Sequence, residues 1–382
     1  MLLKDCCTII AGQSPESKYY NTEGIGVPFF QGKADFGELY PRIRVYCSQP
    51  TKMAKKDDIL LSVRAPVGAT NLSPADVCIG RGLTAIRPKD NINLRFLLYY
   101  FRFFESQLQQ KGTGTTFKAI TQDIVKNLDI PVYPLPEQER IVARIEELFS
   151  QLDSGVETLK KTKEQLAVYR QAVLKEAFAL RCGWSVKKAF EIGEINLGRQ
   201  RSPQKISNNF PTKYIRAANI TENGLALDDL LEMEFTPSER QKYYLKENDI
   251  LVSEASGSPT QVGKPAIWKN QIKDCCFQNT VIRHRVTSEH PEYVYWYYKY
   301  LYVSGFFSKI VGGVGINHLG AKKFSNIDII IAPYDDQLRI VSEIESQLSV
   351  CDSIEKTVDV ALQQAEAMRQ SILKKAFEGR IT

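Results

Sequence analysis

From Ile340 onward, apolar or small residues follow one another at alternating steps of four and three: Ile340, Ile344, Cys351, Ile354, Val358, Ala361, Ala365, Met368 and Ile372, with polar Gln347 as the odd member. This is the seam of a long heptad helix, which cannot stand in water alone. The same phase runs through Ile141, Ile145, Leu148, Leu152, Leu159, Leu166, Tyr169 and Val173, broken at Gly155 and Thr162. Pro134, Pro136 and Pro333 mark the helix starts, where a missing N–H costs nothing, and Glu137, Asp335 and Asp336 suit the positive helix end. Ala361 and Ala365 leave room for a close partner. The two helices are similar in length, so the simplest partner for each is the other, as an antiparallel coiled coil. The arrangement left open is that each packs on its own neighbouring domain.

The two seams belong to a duplication. Shifted by 199 residues, PLPEQERIVARIEELFSQLDSGVETL (134–159) lies over PYDDQLRIVSEIESQLSVCDSIEKTV (333–358), and the register continues to RQAVLKEAF (170–178) and RQSILKKAF (369–377). One copy at so large a period is not a solenoid repeat.

The stretches before each helix share an order of elements. Residues 1–133 contain KKDDILLSVRAPVGAT, CIGRGLTAIRP and the aromatic run NLRFLLYYFRFFESQL; residues 181–332 contain KENDILVSEASGSPTQVGKPAIW, CFQNTVIRHRV and EYVYWYYKYLY. Short β-branched runs alternate with Gly, Pro and Ser loops, and one helix comes late. The expected fold is α+β: globules at 1–133 and 181–332, helical spacers at 134–180 and 333–382, and a pseudo-two-fold between the halves. The aromatic runs could stack on bases, but their amphipathic setting favours core packing. LKKTKEQ (159–165) reads as a solvated helix face.

Composition narrows the function. With 43% hydrophobic and 25% charged residues, the chain is an ordinary globular protein. No apolar run approaches the roughly 20 residues of a membrane span, and MLLKDCCTII is too short and polar for a signal peptide, so a cytoplasmic protein without membrane partners is expected. Eight cysteines without CxxC spacing and three histidines make buried thiols the expectation, with no metal site. The net charge of +6 leans toward an anionic partner.

Catalytic motifs are missing. The chain has no Pro-Pro of the NPPY kind needed for adenine methylation. GSPTQVGKP (257–265) spaces its glycines wrongly for a phosphate loop and puts Pro265 where Ser or Thr would hold Mg²⁺. VGGVGINHL (311–319) follows a predicted helix, the wrong context for a dinucleotide loop. His284, His290 and His318 lack a recognisable triad or metal spacing. No catalytic residue is assigned.

The paired LPEQERIVARIEEL and DDQLRIVSEIESQL segments, their RQAVLKEAF and RQSILKKAF endings, the terminal EGRIT, and GQSP (12–15) with YIRAANI (214–220) resemble the specificity (S) subunits of type I restriction-modification systems over the whole chain. One departure is Asp335-Asp336-Gln337-Leu338, where the family pattern is closer to Pro136-Glu137-Gln138-Glu139. The resemblance implies a non-catalytic subunit whose globules each read one half of a bipartite, asymmetric site in double-stranded DNA, with the helices as spacer. It implies two methyltransferase (M) subunits as partners, restriction (R) subunits through the complex, and S-adenosylmethionine, ATP and Mg on those partners rather than on this chain. The contrasting reading is a coiled-coil scaffold with incidental DNA contact.

Candidate DNA contacts are polar or basic residues in Gly-rich loops, where backbone approaches phosphate and side chains enter a groove. In the first globule they are Gln31, Lys33, Arg64, Arg81, Lys111, Thr113, Thr115 and Lys118. In the second they are Arg199, Arg201, Arg216, Asn219, Ser256, Gln261, Lys264, Asn317 and His318.

Overall fold

The computed structural model describes residues 1–112, 119–131, 133–200, 211–311 and 316–380. Two compact units divide it, Met1–Lys160 with Asp359–Thr382 and Lys161–Val358. The long helices do not form bodies of their own: each unit holds one globule and half of each helix.

In the first unit, β1 (Cys7–Ala11), β2 (Val27–Phe30), β3 (Ile59–Ser62), β4 (Thr70–Leu72), β5 (Val77–Ile79) and β6 (Leu83–Pro88) precede the aromatic helix α1 (Leu94–Lys111) and the long helix α2 (Leu135–Ala177). One antiparallel sheet has the order β1-β6-β3-β4, while β2 and β5 pair in parallel in a second sheet. The apolar run Ile59–Leu61 of β3 fits a strand buried on both faces, and all three residues are fully buried. Helix α1 starts at Asn93, whose side chain accepts the Arg95 and Phe96 N–H groups, and packs Leu97, Leu98 and Phe101 into the core.

The second unit repeats the plan with β7 (Gly193–Leu197), β8 (Pro211–Ile215), β9 (Ile250–Ser253), β10 (Ala255–Ser256), β11 (Pro265–Ile267), β12 (Cys276–Phe277), β13 (Val281–Val286), α3 (Pro291–Val303), β14 (Asn317–His318) and α4 (Tyr334–Phe377). Its main sheet is β7-β13-β9-β11, and β8 pairs in parallel with β12. Tyr293, Val294, Tyr297 and Tyr298 of α3 are buried, so the aromatic runs are core, not stacking platforms.

Individual contacts recur as well. Asp58, buried before β3, takes both Arg87 nitrogens at 2.7 and 2.8 Å and the Lys55 N–H at 2.8 Å. Asp249, buried before β9, takes Arg285 at 2.7 and 2.7 Å and the Lys246 N–H at 2.7 Å. The turn residue before each acid is left-handed, Asp57 at φ 68° and Asn248 at φ 67°, a conformation that Asp and Asn tolerate best after glycine.

At the start of α2, Gln138 is fully buried; its carbonyl accepts the Asn93 N–H at 2.8 Å and its amide donates to the Tyr133 and Asn91 carbonyls. At the start of α4, Gln337 accepts the His290 N–H at 2.9 Å and donates to the Ala332 carbonyl and Glu289. The departure at Asp335–Leu338 therefore keeps the glutamine that hydrogen-bonds the helix start to its globule.

Within the first unit the early part of α2 runs antiparallel to the late part of α4: Ile141, Val142 and Ile145 cluster with Leu373 and Ala376, and Arg369 lies over the Phe149 ring at 5.1 Å. In the second unit the late part of α2 meets the early part of α4, with Val173, Leu174 and Phe178 sharing a core with Ile340, Val341 and Ile344. Leu166, Cys351, Val358 and Ala365 are buried too. Leu148, Leu152, Leu159, Ala361 and Ile372 are half-buried. Three seam positions are corrected: Tyr169 is 49%, Ile354 40% and Met368 54% exposed. A helix of 3.6 residues per turn drifts off a strict 3.5 repeat, so the inward stripe moves on by one residue and Glu355 and Arg369 turn inward instead.

Candidate functional site

In the first unit, β2 and β5 are parallel, so both end at the same edge of their sheet. Gln31 follows β2, and Gly80-Arg81-Gly82 follows β5. A Cβ on Gly82 would lie 2.3 Å from the Gln31 carbonyl oxygen, so only glycine lets these two loops touch. After β3, the Val63 N–H donates to the Gly82 carbonyl at 2.9 Å, which brings Arg64 to the same edge. Arg64 and Arg81 line one cleft of about 220 Å³ with Gly12 and Gln122. Gln31 and Lys33 line another of about 620 Å³, walled by Tyr20 and Phe29, whose rings stack at 4.7 Å. All four candidates are exposed.

Two neighbours escaped the sequence reading. Arg42 and Arg44 are exposed beside the Lys33–Asp35 turn: the Arg42 N–H donates to the Asp35 carbonyl at 2.8 Å, and the Arg44 guanidinium to the Ala34 carbonyl at 3.0 Å. Their signal was an alternating Arg-Ile-Arg directly after Pro41. Lys111 ends α1 with its ammonium 5.7 Å over the Phe104 ring and lines neither cleft. Thr113, Thr115 and Lys118 lie outside the described residues, as do Arg201 and the glycines at 312–315.

The second unit builds the equivalent edge from different side chains. Arg216 follows β8 and Gln278 follows β12, and the Gln278 N–H donates to the Ile215 carbonyl at 2.9 Å. The Thr280 hydroxyl accepts the Ala217 N–H at 3.1 Å, and its carbonyl accepts the Glu254 N–H at 2.8 Å, which joins the Arg216 loop to the end of β9. There β10 pairs with β14, so Ser256, Asn317 and His318 come together. His318, side chain 55% exposed, meets Glu254 through Nδ1 at 3.1 Å. Arg216 pairs with Asp229 at the rim.

Three second-unit candidates are occupied inside the protein. Arg199 is 9% exposed, bonds Glu239 at 2.8 Å and lies over Phe235. Asn219 is 2% exposed; it accepts the Arg216 N–H and donates to the Ala226 and Asp229 carbonyls. Lys264 is buried against Glu222 at 3.3 Å, with Gln261 accepting from it. Burial opposes ionisation of Glu222, but the Tyr302 hydroxyl, Lys264 and Lys299 together hold its carboxyl below the usual range. Loop composition told that these segments turn, not which side chains the turn consumes.

The chemistry at both edges is hydrogen bonding and positive charge. GSPTQVGKP leads into strand β11 rather than into the helix that a phosphate loop requires. Among the described residues no group of three or more His, Cys, Asp or Glu could hold a metal ion, and no helix is long and apolar enough to cross a membrane.

A family profile described as the type I restriction modification DNA specificity domain matches residues 1–167 and 182–364. A putative type I restriction enzyme MjaX specificity subunit from Methanocaldococcus jannaschii is 42% identical over 167 residues, 44% of this chain and 38% of that protein's length. The EcoKI specificity subunit of Escherichia coli K12 is 24% identical over 327 residues, 81% of this chain and 70% of its own. Among solved structures, a chain from work on complex assembly and conformational transition of the type I R-M system covers 100% of this chain and 97% of its own at TM-score 0.77 and 19% identity. The HsdS subunit from Thermoanaerobacter tengcongensis covers 100% of this chain and 96% of its own at TM-score 0.58 and 20% identity. These two likenesses speak for the fold.

Proposed function

The chain belongs to the type I restriction-modification DNA specificity family, and from that premise we propose that it is the sequence-reading subunit of a DNA-modifying complex and has no catalytic activity of its own. Each unit reads one half of a bipartite, asymmetric site in double-stranded DNA through the loop edge where its parallel strand pair ends. The long helices set the distance between the half-sites and dock two methyltransferase subunits, and restriction subunits join through that assembly. S-adenosylmethionine, ATP and Mg belong to those partners. The complex works in the cytoplasm, where the DNA is.

The observation that carries this reading is the contrast between the units' frameworks and their edges. Asp58–Arg87 and Asp249–Arg285, or Gln138 and Gln337, repeat down to single hydrogen bonds. The edges do not repeat: Gln31, Arg64 and Arg81 stand where the second unit has Arg216, Ala255 and the 278–280 loop. A duplicated scaffold with divergent edges is what two different half-sites require. The test is genome-wide mapping of N6-methyladenine in cells with and without this chain. A split motif that vanishes with the chain is expected; unchanged methylation overturns the reading.

A further inference from the structure

The end of β9 carries a pair of side chains that the first unit lacks. Glu254 is 7% exposed, and its carboxylate faces the His318 Nδ1 at 3.1 and 3.3 Å while Oε1 accepts the Gly320 N–H at 3.3 Å. His318 stands on β14, its side chain 55% exposed at the edge that also bears Ser256 and Asn317. Nothing among the described residues hydrogen-bonds its Nε2. In the first unit Val63 takes the place of Glu254, because the Ile120 N–H reaches the Val63 carbonyl at 3.0 Å as the Leu319 N–H reaches that of Glu254 at 2.9 Å. Ala119, bridged to Arg64, takes the place of His318, bridged to Ala255.

A buried carboxylate on one ring nitrogen decides what the other can do. Ionised Glu254 only accepts hydrogen bonds, so the Nδ1 facing it carries the proton, and in the neutral ring Nε2 is left as an acceptor. In a DNA major groove, a single acceptor matches the exocyclic amino group of adenine or cytosine and meets no partner on guanine O6 or thymine O4. We infer that His318 reads one base of the second unit's half-site through Nε2 and that Glu254 is the positioning residue that fixes which kind of base it accepts. The inference rests on the DNA-reading function proposed above. It adds the residue, the atom and the chemical class of base edge, and it is confined to one half-site.

The experiment selects preferred sites from a randomised double-stranded DNA library, using the full chain with its methyltransferase subunit, for the wild type, Glu254→Gln and His318→Ala. A glutamine can keep Oε1 on the Gly320 N–H while its NH₂ donates to Nδ1. The ring then carries its proton on Nε2 and becomes a donor there. Glu254→Gln is therefore expected to shift one position of one half-site toward guanine or thymine, and most strongly away from cytosine, which unlike adenine with its N7 offers no major-groove acceptor, with roughly tenfold discrimination, the scale of one good base contact. His318→Ala should leave that position indifferent, and the other half-site should not change in either variant. His318 is at the surface, so its variant keeps the test decisive even if Glu254→Gln fails to fold. A motif unaltered by His318→Ala, or a uniform loss over all positions, overturns the inference. A wild type that selects no split motif instead overturns the DNA-reading function beneath it.

Discussion

Arg170 donates to Asp352 at 2.6 Å in the second unit, and adding 199 to the first and subtracting 199 from the second gives Arg369 and Asp153, which pair in the first unit. Arg170 also holds Glu355 at 2.7 Å, and that guanidinium keeps the Glu355 carboxyl below the usual range. Both pairs are partly exposed, so each should couple by only about 0.5 to 1 kcal/mol. Arg170→Ala and Asp352→Ala should each lower the urea midpoint, with a double-mutant cycle returning that coupling, and 0.5 M salt should shrink it. A coupling of zero at low salt would make the duplicated pairs ornamental.

Gln138 and Gln337 should matter more. Gln337→Ala strands the buried His290 N–H and the Ala332 carbonyl, and Gln138→Ala strands the Asn93 N–H and the Tyr133 carbonyl. Each substitution should cost about 2 to 4 kcal/mol, the scale of leaving two buried polar groups unmade. Chemical denaturation measures it, and a loss below about 1 kcal/mol would show that water replaces the amide.

Much of this frame was legible because it repeats in the sequence: the duplicated segments, both aromatic helices and the starts at Pro134 and Pro333 stand where the periodicity put them. A heptad count puts Tyr169, Ile354 and Met368 in the seam because it ignores the drift of a 3.6-residue helix. The edges were half legible. Glycine and charge mark Gln31, Arg64 and Arg81, but Arg199, Asn219 and Lys264 look the same in sequence and are consumed internally by Glu239, the 226–229 carbonyls and Glu222. Which polar side chain a loop satisfies depends on long-range partners that local spacing does not encode.

His284 gives a pH dependence to stability. It is fully buried, its Nδ1 sits 2.8 Å from the Tyr298 hydroxyl, and burial pushes its pKa down to about 3. An unfolded histidine takes up its proton near pH 6.5, so between that value and about 3 the unfolded chain binds a proton that the native one refuses. The stability is intact above pH 6.5 and is lost on acidification by about 1.4 kcal/mol per unit. In the first unit Ile86 and Phe101 occupy the equivalent places. The double variant His284→Ile with Tyr298→Phe should flatten this slope between pH 4.5 and 6.5 in chemical denaturation at a series of pH values. An unchanged slope would assign the acid sensitivity elsewhere.

Substitutions at the first unit's basic edge would tell base contacts from phosphate contacts. Arg64→Ala and Arg81→Ala, two arginines sharing one cleft, should each cost about 1 to 3 kcal/mol and relax one base of one half-site if they grip a guanine. Arg42→Ala and Arg44→Ala should weaken binding evenly across sequences and reduce the salt slope by about one each. Binding titrations over salt concentration and base variants decide each residue, and an evenly weakened Arg64→Ala would move Arg64 to the phosphate group.

The helices as a ruler can be tested where the units divide. Helix α2 passes from the first unit to the second between Lys160 and Lys161, and α4 passes back between Val358 and Asp359. One heptad inserted after Leu159 and another after Val358 lengthens both helices at that division, next to the boundary residues, and leaves the Asp153–Arg369 and Arg170–Asp352 pairs inside their own units. Each helix grows by about 10 Å at 1.5 Å per residue, and a base pair rises about 3.4 Å, so the spacer between half-sites should lengthen by up to about three base pairs. Three base pairs also turn one half-site by about 100° on a duplex of roughly 10 base pairs per turn, so affinity should fall even as the spacing moves. Site selection from a DNA library of variable spacer length, with the methyltransferase subunits present, reads the result: both half-sites keep their bases and the preferred gap grows. A folded, assembled variant that still selects the original gap would mean that something other than these helices sets the distance.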